Sequence, residues 1–152
     1  MSARRRLDLL AFMPFRLNRL AAEFSQTLAA DYARFGIDIP EWRVLATLGQ
    51  HAEARSAQYV VRCTRTHKSR ISRAVSHLVD RGLVARDPGE EGGREIMLRL
   101  TPQGRAVYEE LVPLLLHREQ AVMACLTAEE AATLGLLLGK LEGAFGLLRC
   151  GE

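Results

Sequence analysis

The apolar positions of this chain change period along its length. Residues 8–34 repeat at helical spacing, with Leu9, Phe12, Leu17, Leu20, Phe24, Leu28 and Tyr32 able to share one stripe. Gly36 ends that helix, as a glycine just past the last turn does. Asp38-Ile39-Pro40-Glu41 predicts the start of the next one: Asp38 caps, Pro40 suits the first turn and Glu41 takes the capping-box position. Trp42, Val44, Leu45 and Leu48 form its buried side. Residues 51–55 read as a loop, and Ser56 caps a short helix carrying Ala57, Val60 and Val61. After a turn at residues 64–66, a helix over residues 67–81 sets Ile71, Ala74, Val75 and Leu78 on one face. Ser69, Arg70, Arg73, Ser76 and His77 fall on the other, and Gly82 stops the helix.

The period then drops to two. Residues 83–86 and 95–100 read as strands, with Ile96, Leu98 and Leu100 sharing a face of the second. Pro88-Gly89 and Gly92-Gly93 supply the turn between them. Thr101 caps a long helix opened by Pro102, and Pro113 inside it predicts a kink. Thr127-Ala128-Glu129-Glu130 is a capping box for a last helix striped by Leu134, Leu137, Leu138, Leu141, Phe145 and Leu148. The pattern predicts a mainly α chain with a small β-hairpin wing, a winged helix-turn-helix between long terminal helices. No repeat, low-complexity segment or linker divides it, so residues 1–152 read as a single domain. The terminal stripes exceed what a winged-helix core of about 80 residues can cover, which points to a dimer interface or to a larger monomeric helical core.

Composition changes this picture mainly through charge. The net charge of +3 says little, but residues 54–99 hold ten Lys/Arg against five Asp/Glu, whereas the rest holds eleven against thirteen. The middle of the chain therefore suits a polyanion. Cys63, Cys125 and Cys150 show no metal-ligand spacing and read as reduced thiols, with the chain expected to be cytoplasmic. His51, His67, His77 and His117 are scattered, so neither a metal nor another cofactor is expected. No apolar run reaches the roughly 20 residues of a membrane span. Arg16 and Arg19 interrupt the tract after Arg4-Arg5-Arg6, which favours an amphipathic helix over a signal peptide.

A helix enters the major groove only if its outward face is slim and donates hydrogen bonds. Arg70 and Arg73 can reach guanine edges or phosphates. Ser69, Ser72 and Ser76 are short donors suited to close approach. Thr66, His67 and Lys68 lie at the helix N-terminal end, where backbone N–H groups favour phosphate, and Ser56 joins this set from the preceding cap. The bland alternative is a solvated surface helix. Against it, Glu is absent from residues 67–81 and Asp80 is the only acid, whereas exposed faces usually mix signs. Arg94, past Gly92-Gly93 at the hairpin tip, suits a narrow groove, although a plain hairpin would expose an arginine there too. Arg86 and Arg99 are expected to touch phosphates or to pair with Glu90, Glu91 or Glu95. No catalytic triad, phosphate loop or paired carboxylates appear, so no enzyme is expected.

Four pieces in this order resemble the MarR family of bacterial transcription regulators. They are Pro40-Glu41-Trp42-Arg43-Val44-Leu45, Lys68-Ser69-Arg70-Ile71-Ser72-Arg73, Leu78-Val79-Asp80-Arg81-Gly82-Leu83-Val84 and Leu98-Arg99-Leu100-Thr101-Pro102-Gln103-Gly104. The resemblance implies that residues 67–81 form the recognition helix and the hairpin the wing. It implies dimerisation helices at about 7–35 and 101–150 around a DNA-binding lobe at about 38–100, and a homodimer on a pseudo-palindromic duplex. One departure stands out: the family wing carries an Asp two residues before its arginine, and Gly92 stands there.

The resemblance also implies a repressor released by a small aromatic acid or acyl-thioester. Phe12, Phe15, Trp42 and His117 could line an apolar cavity in which Arg16 or Arg19 binds a carboxylate. The alternative is that these arginines are surface or interface residues. Rival readings are a cysteine redox switch at Cys63 and a protein-interaction module without an effector.

Overall fold

In the computed structural model the described residues are 6–87, 95–147 and 149. The chain folds as α1 (Met13–Arg34), α2 (Ile39–Gly49), β1 (Arg55–Ser56), α3 (Ala57–Thr64), α4 (Lys68–Asp80), β2 (Val84–Asp87), β3 (Met97–Leu100), α5 (Pro102–Met123) and α6 (Ala128–Ala144). The caps act where the sequence places them. The Asp38–Glu41 and Thr127–Glu130 capping boxes are both closed, while Ser56 and Thr101 accept the amides of Tyr59 and Gly104. Each such cap satisfies an orphan amide and contributes about 1 kcal/mol. α1 starts later than its stripe suggests. Asp8 first closes a turn, accepting from the amides of Leu10 and Ala11, and Pro14 then opens the helix. α5 continues through Pro113 as one 22-residue helix.

The sheet has three strands in the order β1-β3-β2, all antiparallel. Arg55 faces Leu98 on one side of β3, and Arg86 faces Leu98 on the other. Leu98 is therefore central and buried, whereas Ile96 precedes the strand and is exposed. β1 falls on residues expected to be loop and cap. Across the hairpin Arg99 Nε meets Asp87 Oδ2 at 2.7 Å, so its partner among the described residues is a neighbouring-strand aspartate and not Glu95; Glu90 and Glu91 lie outside those residues.

The core belongs to the middle of the chain. Val44, Leu45 and Leu48 of α2, Val60 of α3, and Ile71, Val75 and Leu78 of α4 pack with Val84, Leu98 and Leu111. Burying a side chain of this size stabilises by about 1.5–3 kcal/mol. α4 stops at Gly82, whose φ of +72° lets the Leu83 amide turn back to the Leu78 carbonyl at 2.9 Å and aims the chain into the wing. The ends differ. α6 has no buried residue, and α1 buries only Asp31 and Tyr32. Leu17 and Leu20 of α1, Leu116 of α5, and Leu134, Leu137 and Leu141 of α6 are exposed. α5 and α6 meet at a bend of 107°, and no single described helix is long and apolar enough to cross a membrane.

Candidate nucleic-acid interface

α4 carries its apolar residues into the core and everything else outward. Lys68, Ser69, Arg70, Ser72, Arg73, Ser76 and His77 are all exposed, while Ile71, Ala74, Val75 and Leu78 are buried. The outward residues spread over two concavities. Arg70, Arg73 and His77 line one against Asp38, Pro40 and Glu41 at the start of α2, about 590 Å³ in volume. Lys68, Ser72 and Arg86 line another against α3 and the wing, about 520 Å³. Among the described residues, the Arg70 and Arg73 guanidinium groups make no hydrogen bond or ion pair. They remain available for a polyanion, as bidentate donors do.

Other expected contacts have intramolecular work. His67 is the α4 N-cap: its Nδ1 accepts from the Ser69 amide at 3.2 Å and from the Ser69 hydroxyl at 2.8 Å. Arg86 Nη2 donates to Ser76 Oγ at 3.1 Å, tying the wing to the helix. Ser56 spends its hydroxyl oxygen on the Tyr59 amide. Thr66 departs from expectation. It is 5% exposed, and its hydroxyl accepts from Arg43 Nη1 at 2.8 Å. It therefore faces inward and locks the turn before α4 onto α2. That turn includes Arg65 at φ +53°, left-handed backbone on a non-glycine residue. Arg94, with its neighbour Gly92, lies outside the described residues.

Two residues outside the expected DNA-binding set hold α4 in place. Arg81, at its C-cap, donates to the carbonyls of Phe35 and Gly36 at 2.7 and 2.8 Å. Those carbonyls are left over at the end of α1, so the guanidinium staples α4 to it. Glu41 pairs with Nδ1 of His77 while its other oxygen accepts the Asp38 amide at 3.0 Å. The capping box marks Glu41 in the sequence, but its second partner is 36 residues away.

The six residues considered for an effector do not gather in one cavity of the chain. Phe12 precedes α1 and is exposed, as are Arg16 and His117. Arg19 lies over the Phe15 ring at 5.7 Å. Trp42 is stacked between Tyr32 and Tyr108, with ring centroids 5.7 and 6.0 Å away. Both its faces are taken, so only its edge reaches an open groove of about 320 Å³ between α1, α2 and α5. Phe24, Leu28, Val112 and Leu115 line this groove, with Arg118 at its rim. Arg118 Nε holds the buried Asp31 carboxylate at 2.9 Å, and that hydrogen bond raises the arginine's pKa. Cys63 is half-buried in α3, and Cys125 is exposed just beyond α5. Among the described residues no three His, Cys, Asp or Glu side chains gather as metal ligands.

A family model described as "MarR family" matches residues 35–95. The chain is 24% identical over 128 residues to the HTH-type transcriptional regulator PecS of Dickeya dadantii, covering 83% of this chain and 77% of that protein. It is 27% identical over 125 residues to the HTH-type transcriptional repressor Rv2887 of Mycobacterium tuberculosis, covering 82% and 89%. A MarR family regulator from Silicibacter pomeroyi shares the fold at TM-score 0.79 and 25% identity, over 97% of this chain and 99% of that one. The Rv2887 structure, a complex with salicylic acid, aligns at TM-score 0.70 and 26% identity, over 86% and 96%. A mutant MarR from E. coli, complexed with operator DNA, aligns at TM-score 0.76 and 24% identity, over 90% and 99%.

Proposed function

Because this chain belongs to the MarR family of winged-helix, DNA-binding transcription regulators, we propose that it acts as a dimeric repressor that a small aromatic acid releases from its operator. The observation that carries the DNA half is the outward face of α4: two arginines without partners among the described residues, beside short serines, on a helix whose other face is core. In this reading α4 enters the major groove, Arg70 and Arg73 reach base edges or phosphates, and Ser69, Ser72 and Lys68 approach the backbone. The exposed leucines of α1, α5 and α6 close against a second copy, setting two α4 helices about one DNA turn apart.

For the effector, the groove between α1, α2 and α5 suits an aromatic acid better than the six residues suggested by sequence. Its walls are mostly apolar, with Thr27, Glu119 and Arg118 as the polar lining, and Arg118 keeps guanidinium N–H groups beyond the one on Asp31 for a carboxylate. The groove touches both the terminal helices and α2, which carries the contacts to α4, so a bound ligand bears on the spacing of the two α4 helices. The salicylic acid complex of Rv2887 supports this ligand class.

The test is a panel of small aromatic acids added to the protein–operator complex, followed by thermal melting of the protein alone. The expected result is an acid that raises the melting temperature and frees the DNA, with both effects weakened by Arg118→Met. An acid that stabilises the protein yet leaves it on DNA would contradict release, and a panel without effect would contradict the ligand class.

A further inference from the structure

We propose that Glu41 fixes the ring proton of His77 on Nδ1, leaving Nε2 as a hydrogen-bond acceptor aimed at one base edge, so that His77 is a specificity-determining residue. Its DNA-facing half rests on α4 entering the major groove. A carboxylate only accepts hydrogen bonds, so the nitrogen it holds must carry the proton. The Glu41 side chain is 7% exposed and cannot swing away, because its second oxygen accepts the Asp38 amide. His77 is 52% exposed, and among the described residues its Nε2 has no partner. The charged groups around the ring are Glu41 and Asp38 from the α2 side and Arg70 and Arg73 along α4. Arg62 and Arg86 line the opposite side of the helix.

The other histidines with ring partners are set the other way. His67 Nδ1 accepts from Ser69, and His51 Nδ1 accepts from Arg55 Nη2 at 3.4 Å, so each carries its proton on Nε2. Of these three histidines, His77 alone presents a bare Nε2 to its surroundings. A bare Nε2 accepts from adenine N6 or cytosine N4, which the outward Lys68, Arg70 and Arg73 of α4, being donors only, cannot do.

Nitrogen NMR of the histidine-labelled full chain at about pH 8.5 tests the tautomer without DNA. The expected result is a protonated Nδ1 for His77 and a protonated Nε2 for His67 and His51, with the His77 signature lost in Glu41→Gln. Glutamine still closes a capping box, so this variant keeps the α2 N-terminus. A protonated Nε2 on wild-type His77 would overturn the assignment, whatever α4 does with DNA. Selection from random duplexes then tests its use. Wild type should prefer adenine or cytosine by roughly 2- to 10-fold at one position per half-site, the worth of one hydrogen bond. That preference should vanish in Glu41→Gln and His77→Ala. An unchanged preference in Glu41→Gln, or a loss spread evenly over all positions, would reduce the pair to a structural tie and overturn the proposal.

Discussion

On α4, a side chain's use follows from what else it already holds. Arg70 and Arg73 hold nothing among the described residues, Arg81 is consumed by the carbonyls of Phe35 and Gly36 just past α1, and Arg86 by Ser76. All four are basic residues near one helix, and only their partners distinguish them. Thr66 looked like a phosphate contact from its place before the helix, yet its hydroxyl is turned inward to Arg43. Close packing decides Gly104 in the same way. A Cβ there would lie 1.9 Å from the Leu83 carbonyl oxygen, because the first turn of α5 rests on the chain leaving α4. Gly104→Ala should therefore destabilise the fold by about 1–3 kcal/mol in urea unfolding, as overpacking against backbone does. An unchanged midpoint would show that the two segments separate freely.

At the scale of elements, α2, α3, α5 and α6 were legible because a capping residue marks where each begins, whereas α1, with no side-chain cap, starts later than its stripe suggests. Asp38, Ser56, Thr101 and Thr127 all cap as read, and the α4 burial pattern matches its stripe. β1 was not legible, since two residues cannot show a period and its strand character exists only through pairing with β3. Trp42 was read as a ligand wall because its two stacking partners, one on α1 and one on α5, are distant in sequence. The cluster at β1 makes a pH prediction. The His51 ring packs between Tyr59 and Arg55, and burial, then the Arg55 charge, lowers its pKa below the ordinary 6.5. The unfolded chain thus takes up this proton first. Stability is lost as pH falls through 6.5 and the loss ends at the lowered native value. His51→Gln should show a shallower fall in urea midpoint from neutral to mildly acidic pH than the parent. An identical slope would place the acid sensitivity elsewhere.

At the scale of the molecule, the chain divides between a lobe that is packed and ends that are not. The lobe buries Leu45, Ile71, Leu78 and Leu98 completely, or within about a hundredth of it, while Leu136 and Leu137 on α6 stand 62% and 50% exposed. Apolar surface on this scale marks an interface. In the proposed dimer, two copies joined through these ends would set the proposed base-reading side chains in pairs at a fixed spacing; Arg81 and Glu41 hold α4 against the end of α1 and the start of α2.

The central claim is that paired α4 helices read base sequence through Arg70 and Arg73. Its most direct measurement is selection of bound duplexes from a random pool by wild type and Arg73→Ala, with affinities for the winning site and its single-base variants. The account predicts two inverted half-sites centred about 10 base pairs apart. Arg73→Ala should bind the winning site about 5- to 150-fold more weakly and lose discrimination at one base pair in each half-site. Enrichment of no sequence, or a loss equal across every variant, would contradict it.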